Sequence, residues 1–115
     1  MSPLARRGAA AVRQATAPVF AALGDETRLS LIAKLAAGER RSISQLARGS
    51  PISRQAITKH LRVLEDAGIV HSTRAGRESQ FAFDPQPIAE LRNYLDRVSA
   101  HWDSALSRLR TFVER

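Results

Sequence analysis

Cysteine is absent from the chain, and with it go disulfides, thiolate metal sites and thiol redox chemistry. No apolar run approaches the ~20 residues that span a bilayer, so no transmembrane helix is expected. The opening MSPLARRGAAAVRQATA contains no acid, yet its longest apolar run is too short for the core of a signal peptide. It reads as a flexible basic arm, residues 1–15, of a cytoplasmic protein, with a transit-like peptide as a remote alternative. Large apolar anchors are also missing from residues 1–17, which argues against a membrane-surface role. Acids are scarce in one region above all. From Arg40 to Arg77 only Glu65 and Asp66 stand against Arg40, Arg41, Arg48, Arg54, Lys59, Arg62, Arg74 and Arg77.

What is present is one small domain of 115 residues with a formal charge of +7, from 18 Lys and Arg against 11 Asp and Glu. That length supports a modest core, and a second copy would add useful burial. Nearly all the surplus charge lies in the acid-poor region, and a local excess of this kind favours a polyanionic partner.

The centre of that region is Pro51–Gly68, whose spacing predicts one helix with two unlike faces. Ala56, Ile57, His60, Leu61, Val63, Leu64 and Ala67 form its apolar side. Gln55, Thr58, Lys59 and Arg62 fall at i, i+3, i+4 and i+7 and line one polar stripe. Ser53 is placed as N-cap, Pro51 keeps the incoming chain out of the helix, and Gly68 supplies the left-handed residue that ends it. Glu65 and Asp66 sit in the last turns, so the N-terminal end is the one suited to phosphate. Taken alone, the stripe fits a solvated surface face equally well.

The neighbouring segments give it a context. A short helix is expected from about Ala15 to Leu23, with Val19, Phe20 and Leu23 on one side. Asp25 then caps a second helix, whose core face is read as Leu29, Ile32, Ala33, Leu35 and Ala36. Ser42-Ile-Ser-Gln45 has the form of a capping box opening a helix of two turns, broken by Gly49-Ser50-Pro51. Two helices joined by a short Gly-containing turn, the second basic on its outer face, are laid out as a helix-turn-helix. IVHSTR and SQFAFD then read as a hairpin turning at Ala75–Glu78, with Phe81 and Phe83 on one side. Beside the helix-turn-helix this hairpin is a wing with Arg74 and Arg77 near its tip; by itself it would be a solvated turn.

From Ile88 the apolar positions Leu91, Leu95, Val98, Trp102, Ala105–Leu106, Leu109 and Phe112–Val113 keep steps of three and four over about seven turns. Such a helix overhangs what this core can cover. With Phe20 of the first helix, the stripe is expected to pack on a second subunit. The organisation is therefore read as residues 1–15 arm, 16–86 winged helix-turn-helix and 87–115 dimerisation helix, mostly α with a small β-hairpin wing.

FAALGDETRLSLIAKL, ISRQAITKHLRVLEDAGIV and RAGRESQFAF, in that order and spacing, resemble the ArsR/SmtB family of winged-helix bacterial repressors over roughly residues 16–113. HWDSALSRL is similar to members that lack the metal-binding cysteines. The resemblance implies a homodimer joined through its first and last helices. It also implies that Ser53, Arg54, Gln55, Thr58 and Lys59 face DNA, with Arg74 and Arg77 added by the wing. The family's cysteine pair is replaced here by Ser44-Gln45-Leu46. Asp96, His101 and Asp103 remain on the last helix, but His101 has no His or carboxylate at i+3 or i+4, so neither a metal nor another cofactor is expected. His60 matches a frequent family histidine; its place on the apolar side favours a hydrogen-bonded packing role over base contact.

The expected function is a homodimeric DNA-binding transcriptional regulator, a repressor in most such proteins, on a partly palindromic operator in double-stranded DNA; the residues establish neither the existence nor the identity of an inducer. Arg62 is assigned to phosphate, Gln55 to adenine, and Arg54 or Lys59 to guanine. The alternatives are a sequence-tolerant nucleic-acid-binding protein and an interaction module using the C-terminal helix. An enzyme is disfavoured, because His60 and His71 lie in apolar or strand contexts and Ser53 is explained as a cap.

Overall fold

The computed structural model describes the backbone of residues 3–114 and the side chains of residues 8–114. Helix α1 runs Pro3–Leu23, so the stretch read as an arm is helical from Pro3; residues 1 and 2, and the side chains of Arg6 and Arg7, lie outside the described residues. The cause is local. Ala5, Ala9, Ala10, Ala11, Ala15 and Ala17 have the highest helix propensity, and Pro3 is preorganised for a first helical position. Pro18 lies inside the helix and, having no N–H, leaves the Gln14 carbonyl without its usual donor.

Helix α2, Glu26–Leu35, is capped by Asp25, whose side chain accepts the Arg28 amide at 3.0 Å. Its buried face is Leu31 and Leu35, and Leu29 is 50% exposed. Leu35 and Ile32 of the expected face do pack into or against the core, but Leu29, Ala33 and Ala36 are exposed and Leu31 is buried in their stead, which corrects the expected core face in part.

Helix α3, Ile43–Ala47, opens with a capping box in which the Gln45 amide donates to Ser42 Oγ and the Ser42 amide to Gln45 Oε1. Gly49 takes φ 72° in the turn that follows. Helix α4, Arg54–Asp66, starts at the Ser53 cap and buries Ile57, Leu61 and Leu64, while Val63 remains 40% exposed. It ends in a Schellman motif: Gly68, at φ 77°, donates to the Glu65 carbonyl and Ile69 to the Leu64 carbonyl, both at 2.9 Å. The two bonds satisfy carbonyls that a helix end otherwise leaves open.

Strands β2, Val70–Ala75, and β3, Glu78–Phe83, pair antiparallel with Val70 opposite Phe83 and Ala75 opposite Glu78. The connecting residues are Gly76, at φ 64°, and Arg77, at negative φ, the pattern of a type II′ turn. A third strand, β1, Arg41–Ser42, pairs with β3 through Phe81 and Gln80 and gives the sheet order β1-β3-β2. Two residues carry no periodicity, so this strand was not legible in the sequence. Val70 and Phe81 bring one sheet face onto Leu31, Leu35, Leu46, Ile57, Leu61 and Leu64, forming one core.

Helix α5, Gln86–Val113, has 28 residues and so extends about 42 Å at 1.5 Å per residue. Residue 115 lies outside the description. Leu91 is only 5% exposed and belongs to the chain's own core, which corrects its assignment to an intersubunit face. It lies in the part of α5 that still covers the globular region. Beyond it the helix overhangs, giving extents of 67 × 32 × 22 Å. Phe20 of α1 meets Tyr94 of α5 edge to face, ring centroids 6.4 Å apart. Among the described residues no helix is long and apolar enough to cross a membrane.

Candidate nucleic-acid interface

Capping, core burial and strand pairing together set one basic surface. The core face of α4 fixes its rotation, leaving Arg54, Gln55, Lys59 and Arg62 exposed on the other side. Ser53 is partly committed, its hydroxyl accepting the Ala56 amide at 3.1 Å. Thr58, half-buried, donates its hydroxyl proton to the Arg54 carbonyl at 2.8 Å. On the wing, Arg77 occupies the turn, and Arg74, opposite Ser79, shares the strand face of Val70 and Phe81 but lies beyond the core. Among the described residues, none of these arginines nor Lys59 joins an ion pair; the pairs are His60–Asp25, His71–Asp84 and Arg110–Glu114. Their charge is therefore free to meet an external anion.

Arg54 lies outside the stripe of Gln55, Thr58, Lys59 and Arg62. Its guanidinium donates to Ser44 Oγ of α3, which draws it sideways into a cleft of about 240 Å³ between α3, α4 and the wing. Arg77, Glu78 and Ser79 line the opposite side. In the sequence Ser44 is legible only as part of a capping segment and of the stretch that replaces the family's cysteine pair. Its role here depends on the helix-turn-helix angle, which no local pattern records.

Behind α4, His60 Nδ1 accepts from the Arg28 guanidinium at 3.2 Å and lies 3.8 Å from Asp25. Arg28 also donates to the carbonyls of Ala22 at 2.7 Å and Ala21 at 3.3 Å. His60 is thus hydrogen-bonded on the inner side of α4, and Arg28, which sequence reading missed, ties the end of α1 to this helix. Asp25 titrates below the usual carboxylate value, chiefly because it accepts the Arg28 amide. At the base of the wing, His71 Nε2 and Asp84 Oδ2 are 2.8 Å apart and the Gln86 amide donates to Oδ1 at 3.0 Å. These bonds, the amide first, hold the Asp84 carboxyl below its usual range.

A second surface lies along α5. Leu95, Trp102, Leu106, Leu109, Phe112 and Val113 are exposed, Trp102 by 62%, and Phe20 of α1 is 43% exposed. Val98 is half-buried. With Val12, Arg13, Tyr94, His101 and Trp102 it lines a groove of about 420 Å³ between α1 and α5. His101 is exposed, and no group of three or more His, Cys, Asp or Glu residues suited to a metal ion occurs among the described residues.

A family model described as a helix-turn-helix domain matches residues 23–73. The HTH-type transcriptional regulator Rv2034 of Mycobacterium tuberculosis is 40% identical over 86 residues, 75% of this chain and 77% of that one. A probable mercury resistance operon repressor of Streptomyces lividans is 34% identical over 76 residues, 66% of this chain and 60% of that one. Among solved structures, an ArsR-like transcriptional regulator from Rhodococcus sp. RHA1 superposes with a TM-score of 0.83 at 37% identity, covering 91% of this chain and 95% of that one. The matches span both the helix-turn-helix and the long last helix, and the chain belongs to the ArsR family of winged helix-turn-helix transcriptional regulators.

Proposed function

We propose that the chain is a homodimeric repressor that binds a partly palindromic operator. Each α4 enters a major groove, and half-sites are spaced about one helical turn, or a multiple of it, apart. The observation that carries this reading is the unpaired outer stripe of α4, Gln55, Lys59 and Arg62, flanked by Arg74 and Arg77 of the wing. Arg62, Arg74 and Arg77 meet phosphates and supply affinity that falls with salt; Gln55, Thr58 and Lys59 meet base edges. The bare α5 stripe around Trp102 and Leu106, with Phe20, pairs two copies and sets the distance between their α4 helices. Repression is favoured by the similarity to a protein named as an operon repressor.

The test is binding of the purified protein to its own upstream DNA and to scrambled duplex of equal length at several salt concentrations. A preference of ~10³-fold or more, with two subunits per site, is the expected result. Arg62→Ala should weaken all duplexes alike, whereas Gln55→Ala should relax preference at one base pair. If duplexes selected from a random pool share no consensus, the protein is a sequence-tolerant binder instead.

A further inference from the structure

We infer that Arg54 is a DNA-backbone clamp held in place by Ser44, and that the cleft between α3, α4 and the wing seats one phosphate of the duplex. The inference rests on the DNA-binding reading above and reassigns Arg54, which the sequence alone offered as a reader of guanine.

Two observations support it. The Arg54 guanidinium donates to Ser44 Oγ on α3, so it points across the turn of the helix-turn-helix, away from the outward stripe of Gln55, Lys59 and Arg62. A reader of bases must project with that stripe into the groove, while a side chain fixed at its flank lies where the sugar-phosphate backbone passes. The cleft that Arg54 lines is also lined by Arg77 and Ser79 of the wing and by Ser44 of α3. Two of its lining residues are cationic, Arg54 and Arg77, against one carboxylate residue, Glu78. A guanidinium matches phosphate oxygens in a forked, two-bond geometry. The Ser44 bond removes rotamer freedom from Arg54 before DNA arrives, so less ordering is lost on binding. Ser44 is in this sense a positioning residue, acting through Arg54.

The experiment selects duplexes from a random pool with the wild type and with Arg54→Ala, then measures affinity for the selected duplex across a salt series. Expected is an unchanged consensus, with the slope of log K against log salt smaller by about 0.9 per subunit for Arg54→Ala. Arg54→Lys keeps the charge and should keep both slope and consensus while losing affinity. Ser44→Ala should weaken binding severalfold at unchanged slope in the wild-type background and have no effect when Arg54 is already Ala. Loss of one consensus base pair at unchanged slope in Arg54→Ala would overturn the inference, as would no change in either quantity. So would an equal effect of Ser44→Ala in both backgrounds. A wild type without sequence preference would defeat the operator reading but not the clamp, because the slope is readable on any duplex. A wild type that binds no duplex would defeat both.

Discussion

Gly68 and Asp84 show how single residues hold the DNA-facing part in shape. Gly68 takes a positive φ to close the Schellman motif, and a side chain there costs about 1–2 kcal/mol from the left-handed conformation. Added atoms meet only Pro87 Cγ, at 3.6 Å from an ideal Cβ, so strain of the backbone and not collision sets that cost. Gly68→Ala should therefore lower the denaturant midpoint by an amount corresponding to about 1–2 kcal/mol. Asp84 makes a prediction in pH. Its carboxyl is held below the ordinary 3.8 by the Gln86 amide and by His71. A depressed carboxylate adds stability that is present above its unfolded value and is lost as pH falls through the folded one. Asp84→Asn should melt below the wild type near neutral pH, and the gap should close as pH falls below about 4; a gap constant down to acid pH would refute the assignment. The Ser53 cap and the Gly68 terminator were legible in the sequence because capping depends on a few neighbouring residues. The ties from Arg28 to His60 and from Arg54 to Ser44 were not, because their partners meet only after helices pack.

Among the elements, α5 does two jobs along one apolar stripe. Its first turns, through Leu91, close the core; its later turns present Leu95, Trp102, Leu106 and Leu109 to solvent. Substitutions in the two halves should separate cleanly. Leu91→Ala should cost about 2–5 kcal/mol as a cavity, whatever the protein concentration. Trp102→Glu combined with Leu106→Glu should leave a folded chain that sediments as a monomer and melts independently of concentration. If that double variant remains a dimer, α5 is not the pairing surface. The same division explains why Leu91 was grouped with its neighbours on the helix: helical period places them on one face, but where the rest of the chain stops covering that face is not a periodic property. Helix α2 shows the same limit with Leu29 and Leu31, where two stripes satisfy the period and only packing decides between them.

Across the whole molecule, the described structure carries a basic surface on α4 and the wing and an apolar surface on α5. Arg28 bridges the parts, bonding the end of α1 and His60 of α4 together. In a dimer paired through α1 and α5, the geometry of pairing is thereby linked to the placement of the DNA-facing helix. The double variant of Trp102 and Leu106 is accordingly expected to lose most operator affinity, since each single half-site then binds without its partner. Its affinity is read by titration of the selected duplex, and retention of wild-type affinity by a proven monomer would show that one subunit suffices.

The order of the helices and of the hairpin strands, the two-faced α4, its caps and the absence of thiol chemistry were determined by the sequence itself, because each depends on residue type and on spacing within a few turns or along a pair of strands. The tertiary structure decided the third strand β1, the core face of α2, the inward burial of Leu91 and the meeting of Arg54, Ser44 and Arg77 in one cleft. These depend on the angles and distances at which elements far apart in the chain come to rest, and those are set by how the core packs.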